Sequence, residues 1–192
     1  MTVIQRCSWA GNDPDYCRYH DLEWGVPVHD DTKLFEMIIL EGFQAGLSWL
    51  TILKKRDHFK KAFLDWDYEA IAAFSGVDTE RLMSNRGIIR NRLKITSAVK
   101  NAKAFIKLRK EFGSFNEYIW RFTNYKTIFP SPPPKTVSEI PTHSKESDLM
   151  SKDLKRRGFS FVGTVICYSF MQAVGMVNDH MEGCFKCYKG NT

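Results

Sequence analysis

The chain has 192 residues, 43% of them apolar and 26% charged, a balance that excludes a disordered or fibrous protein and suits one domain able to bury its own core. No apolar run approaches the roughly 20 residues needed to cross a bilayer, and the first nine residues hold no apolar stretch of signal-peptide type, so the expectation is a cytoplasmic protein without membrane contact. The 28 Lys and Arg against 22 Asp and Glu leave a net charge of +6, which favours a polyanionic partner, while five cysteines, an odd count, argue for reduced thiols over a disulfide framework.

Apolar periodicity predicts helices almost throughout, an all-α fold. Asp30 or Asp31 caps a helix carrying Leu34, Phe35, Met37, Ile38 and Leu40, and Ser48 starts another carrying Leu50, Ile52, Leu53 and Phe59. Asp67 precedes a short helix with Ile71 and Phe74, and Asp78 precedes one with Leu82 and Met83. Residues 88–112 form the longest, closed by Gly113. Five prolines between 127 and 143 (Pro130, Pro132, Pro133, Pro134 and Pro141) forbid a helix and mark an extended loop inside a single domain, 1–192. Ser144 or Ser147 then caps a helix ending at Arg157, Gly158 stops it, and residues 163–175 form an apolar helix with Val165, Ile166, Tyr168, Phe170 and Met171. Gly158 and Gly163 allow a sharp hairpin between these two helices, and the second offers backbone N–H groups to a phosphate. Three basic clusters, at 54–56, 86–94 and 152–157, stand at helix ends or turns and can converge on one phosphate-binding face.

Two constellations carry chemistry. His180 and Cys184, four apart, reach one ion from a single helical face, and Cys7 and His20 offer a thiolate and an imidazole from the other end of the chain. Such a closed Cys2His2 zinc site would be structural and would tie down two short terminal segments; Cys187, in a C-x2-C pair with Cys184, is an alternative ligand. Cys17 and Cys167 are assigned to packing. Glu41 ends an apolar helix beside Gly42 and Gly46 and ahead of Trp49. A buried carboxyl needs a partner, and walls of Trp9, Tyr19, Trp24 and Trp49 around it suit a flat, cationic, hydrogen-bonding ligand such as an alkylated purine.

Across residues 7–184 several segments closely resemble the bacterial 3-methyladenine DNA glycosylase I family. They include Tyr19-His20-Asp21 with Glu23-Trp24-Gly25-Val26-Pro27, Leu40-Glu41-Gly42, Ala45-Gly46-Leu47-Ser48-Trp49, Ser138-Glu139-Ile140-Pro141-Thr142, the 158–163 turn, and Val177-Asn178-Asp179-His180. The resemblance implies a helix-hairpin-helix glycosylase fold whose structural zinc is held by Cys7, His20, His180 and Cys184, joins the N- and C-terminal segments and leaves Cys187 out. It implies that Glu41, the candidate catalytic carboxyl, and Tyr19 hydrogen-bond a base extruded from double-stranded DNA, that Trp49 stacks on it, and that Trp9 and Trp24 shape the pocket. Leu47 beside Gly46 would approach the gap left in the duplex, and Gly158 and Gly163 would serve DNA contact. Thr164 and Val165 follow the hairpin where bifunctional relatives carry a Schiff-base lysine, so hydrolysis without strand cleavage is expected. The implied reaction releases 3-methyladenine from alkylated DNA and leaves an abasic site, in a chain for which a monomer suffices.

Overall fold

The computed structural model describes residues 4–188. Among these it holds ten α-helices and four short 3-10 turns; the only β pairing is an isolated parallel bridge between Ile128 and Val177.

The hub is α2 (Asp31–Gln44), which starts at Asp30, whose carboxylate accepts from the Lys33 amide. Residues 34–43 are all buried, the pattern of a helix packed on every side, and among its neighbours are α7 (Arg92–Phe112), α8 (Phe115–Trp120) and α10 (Thr164–Ala173). Ahead of it, α1 (Pro14–Leu22) opens on an Asp13 cap with Pro14 at its first position. The stretch predicted as one helix from Ser48 is two, α3 (Trp49–Leu53) and α4 (Arg56–Ala62). At the break the Lys55 ammonium donates to the carbonyls of Arg86 and Gly87. Asp67 caps α5 (Tyr68–Ala72) as expected. Asp78 is not the cap of α6 (Gly76–Ser84): Ser75 is, and Asp78 closes a reciprocal capping box with it. Likewise α7 begins behind an Asn91 cap, four residues later than the sequence suggested, and stops at Gly113. Ser144 caps α9 (Lys145–Arg156), and Ser147 completes that box.

Two buried side chains of α7 fix the parts of the fold that border the site. Lys94, 8% exposed, donates to the Phe43 and Ala45 carbonyls at 2.9 and 2.6 Å, satisfying the C-terminal end of α2, whose own last turn holds no basic residue. Asn101 exchanges two hydrogen bonds with the backbone of Ser160 (3.0 and 2.8 Å), holding the turn between α9 and α10. In that turn Gly158 takes φ +94°, a region open to glycine; the second left-handed residue is Phe161 at +54°, and Gly163 has ordinary N-cap geometry. Phe161 packs onto α2, where a Cβ on Gly42 would meet its side chain at 3.3 Å. Asn101→Ala would leave both Ser160 groups without their partner, so the account expects a loss of about 2 kcal/mol, read by denaturant unfolding; an unchanged midpoint contradicts it.

Candidate functional site

A cavity of about 300 Å³ lies between α1, the C-terminal end of α2, α3 and one face of α10. Glu41 stands in its wall, 3% exposed, and burial alone pushes its carboxyl up to about 8. Its Oε2 has no hydrogen-bond partner, and neither do the indole N–H groups of Trp9 and Trp49, which line the same cavity. Buried polar atoms are nearly always paired, so three orphans on residues that line one cavity point to a ligand that supplies both donors and acceptors. Burial also raises the Tyr19 hydroxyl well above its ordinary range, and the neighbouring Glu41 adds to that shift.

The aromatic wall is continuous. Trp9 packs on Tyr16 and Trp24 at centroid distances of 5.1 and 4.8 Å, and Tyr19 on Trp49 at 5.3 Å. All four aromatic residues named from sequence therefore reach one cavity with Glu41. Tyr16 was missed, although it sits three residues before Tyr19 and so on the same helical face. Missed too were Gln44, the rim formed by Val137, Ile140, Pro141 and Thr142, and the α10 face of Val165, Tyr168, Ser169 and Gln172. The loop expected at 127–143 contains a 3-10 turn, Val137–Glu139, that carries this rim to the cavity. Val165, one of the residues that mark this helix as apolar, is 53% exposed. Behind the cavity wall the buried Asp179 accepts from the Tyr168 hydroxyl at 2.8 Å and the Gln172 amide at 2.7 Å, and burial raises its carboxyl above the usual range.

Gly46 (φ +80°) and Leu47 project from the end of α2, close to Gln44, whose carbonyl accepts the Leu47 amide at 2.7 Å. Leu47 is 40% exposed, and a Cβ at Gly46 would meet nothing within 4 Å.

Cys7, His20, His180 and Cys184 converge in a buried cluster, their ligand atoms all within 4.8 Å of one another, and Cys187 is not among them. Contacts of 3.4 to 3.6 Å join Cys184 Sγ to His20 Nε2, Cys7 Sγ to His180 Nδ1, and Cys184 Sγ to His180 Nδ1. A tetrahedron with Zn–S near 2.3 Å and Zn–N near 2.05 Å has S···N edges of about 3.6 Å, so the donor set fits a metal ion. Each imidazole has its remaining nitrogen occupied, His20 Nδ1 by the Asp21 carboxylate at 2.8 Å and His180 Nε2 by the Trp24 carbonyl at 3.1 Å, the outer contacts that orient metal-bound histidines. Burial pushes His180 down to about 4, keeping its ring neutral. Backbone amides of Met181 and Lys186 donate to the two sulfurs. Trp9 rests on His20 and Trp24 on His180, at 5.2 and 4.7 Å, so the cluster also supports the cavity wall. Cys167 is buried as expected; Cys17 is only half-buried, its thiol on the Gly11 carbonyl.

Many cations of the three basic clusters have partners within the chain. Arg56 is held between Glu23 and Glu36 at 2.9 and 2.7 Å, Lys54 pairs with Asp13, Arg92 with Glu80, and Arg157 with Glu111 and Asp153. Lys55 and Lys94 bond backbone carbonyls. A cation this close to a carboxylate is already satisfied, so these side chains serve the fold.

The sequence model of the methyladenine glycosylase family matches residues 9–187. DNA-3-methyladenine glycosylase 1 of Escherichia coli is 50% identical over 188 residues, covering 98% of this chain and 99% of that protein. A crystal structure of 3-methyladenine DNA glycosylase I superposes with a TM-score of 0.92 at 49% identity, covering 96% of this chain and all of the other. A Tyr→Phe variant of such an enzyme, solved in complex with 3-methyladenine, has a TM-score of 0.89 at 35% identity over 97% and 99% of the two chains. An all-helical chain with these relatives is an enzyme of the glycosylase type. It belongs to the methyladenine glycosylase family.

Proposed function

We propose that the protein hydrolyses the N-glycosidic bond of 3-methyladenine in alkylated double-stranded DNA, releasing the free base and leaving an abasic site. The observation that carries this reading is the aromatic cavity in which Glu41 Oε2 and the indole N–H groups of Trp9 and Trp49 lack partners. A base flipped from the duplex supplies an exocyclic amine, ring nitrogens and two flat faces. Glu41 and Tyr19 hydrogen-bond it, Trp49 stacks on it, and Trp9 and Trp24 shape the walls. N3-methylation leaves the adenine cationic, so the bond to deoxyribose is already weak. The base departs neutral, and water captures the oxocarbenium-like sugar. Glu41 gives up its proton as the cationic ring binds, and as a carboxylate it accepts base hydrogen bonds that strengthen for that ring.

Gly46 and Leu47 enter the gap left by the base, a role their projection beside the cavity supports. The α9–α10 turn, with Gly158 and Gly163, acts as a helix-hairpin-helix unit that offers backbone amides to phosphate. No lysine follows it at Thr164 or Val165, so the enzyme is monofunctional, without lyase activity. Cys7, His20, His180 and Cys184 hold a structural zinc, which closes the two ends of the domain onto each other and leaves no position open for substrate. A single domain, acting as a monomer, suffices for this chemistry. The odd count of five cysteines suits a reducing, cytoplasmic setting; no helix among the described residues is long and apolar enough to cross a membrane.

Free 3-methyladenine is expected to quench the tryptophan fluorescence of the protein where adenine at the same concentration does not, and equal responses to both contradict the pocket assignment. On methylated duplex DNA the abasic product should remain unbroken until alkali is added; prompt strand scission, or an adduct trapped by borohydride, refutes the monofunctional mechanism.

A further inference from the structure

We infer that the outer face of α7 is a track for the phosphate backbone of the duplex flanking the flipped base. Lys100, Lys103, Lys107 and Lys110 follow one another at intervals of three and four, which stacks them on one side of a helix, and all four are exposed. The opposite side, with Asn101, Ala104, Phe105 and Leu108, is buried. None of the four ammonium groups has an ion-pair or hydrogen-bond partner among the described residues. The neighbouring acids are engaged elsewhere: Glu111 with Arg157 at 2.6 Å, Asp31 with Arg109 at 2.6 Å, and Asp153 with Arg121 at 2.8 Å. Like charges three and four apart on a helix repel, so this face opposes its own helix until an anion lies along it.

Its place in the fold selects the anion. Through Lys94, α7 grips the end of α2 next to Gly46 and Leu47, and through Asn101 it grips the α9–α10 turn. The lysine row lies on the other side of α7 from these two contacts; it starts level with Asn101 and runs on toward Gly113 for about 15 Å. Duplex DNA carries one charge per roughly 1.7 Å of its axis, so a duplex lying along the outer face of α7 presents several phosphates to the row. The track rests on the glycosylase reading given above. It accounts for phosphate attraction in a protein whose sequence-evident basic clusters are mostly tied to carboxylates or to backbone carbonyls.

The test is the salt dependence of binding to undamaged duplex DNA, measured by fluorescence anisotropy with the full, zinc-loaded chain. Each phosphate contact contributes about 0.9 to the slope of log K against log salt. The K100Q/K103Q/K107Q/K110Q variant should therefore lower the slope by up to about 3.6 and weaken binding at least tenfold, while the corresponding four-arginine variant keeps the wild-type slope. Glutamine preserves helix preference and removes the repulsion, so the melting temperature should not fall. An unchanged slope in the glutamine variant overturns the track, as does an equal loss per charge in K60Q/K61Q, whose lysines lie on α4. A wild-type chain with no salt-sensitive affinity for duplex DNA would overturn the glycosylase reading itself.

Discussion

Glu41→Gln should make the protein more stable and a poorer enzyme. The Glu41 carboxyl is held at about 8 in the fold by burial, against an ordinary value near 4.3 when the chain is unfolded. Below the unfolded value both states are protonated and Glu41 has no effect. Between the two values the unfolded chain gives up its proton and the folded chain keeps it, so stability falls by roughly 1.4 kcal/mol per pH unit as pH rises. By pH 8 the cost is about 4.6 kcal/mol, which the amide does not bear, since it never ionises. The variant should therefore melt about 5 °C or more above wild type at pH 8 and by much less at pH 5. Release of 3-methyladenine should drop by roughly 10- to 100-fold, the worth of a charge-assisted hydrogen bond. A stabilisation independent of pH would remove the burial argument. Unchanged excision would remove Glu41 from the base.

Loss of the metal should act on both stability and the pocket. The four buried side chains of the cluster join segments more than 150 residues apart in sequence, Cys7 to Cys184 being the longest span. Cys184→Ala, or prolonged chelation, should lower the melting temperature by roughly 10 °C, as expected for a loss of about 3 to 4 kcal/mol in a chain of this size. Because Trp9 and Trp24 rest on His20 and His180, binding of free 3-methyladenine should weaken in parallel. Calorimetry and metal analysis of the purified protein check this directly. A chelated protein with an unaltered melting curve would leave the cluster without a structural role.

What could be read in the sequence was what short-range chemistry determines. Asp30, Asp67 and Ser144 cap helices because their side chains reach amides two or three residues on, a relation visible in the chain itself. The His180–Cys184 pair was legible from spacing, and Cys7 and His20 could be named as its candidate partners; choosing them over Cys187 took the resemblance, because that closure spans the whole chain. The division between α3 and α4 was hidden, since the run from Ser48 to Phe59 carries no proline or glycine to mark it. The cavity was half visible: its aromatic residues and Glu41 stood out, but the rim at 137–142 and the α10 face enter it only through tertiary packing. Charge misled for the same reason. A run such as Lys54-Lys55-Arg56 reads as a surface patch, whereas Glu23, Glu36 and Asp13, distant in sequence, take up Arg56 and Lys54.

The most direct test of the account is chromatographic analysis of the bases released when the zinc-loaded protein is incubated with methylated duplex DNA. The account predicts free 3-methyladenine, released with turnover and accompanied by intact, alkali-labile abasic strands. Tight, salt-sensitive DNA binding with no base released would contradict it.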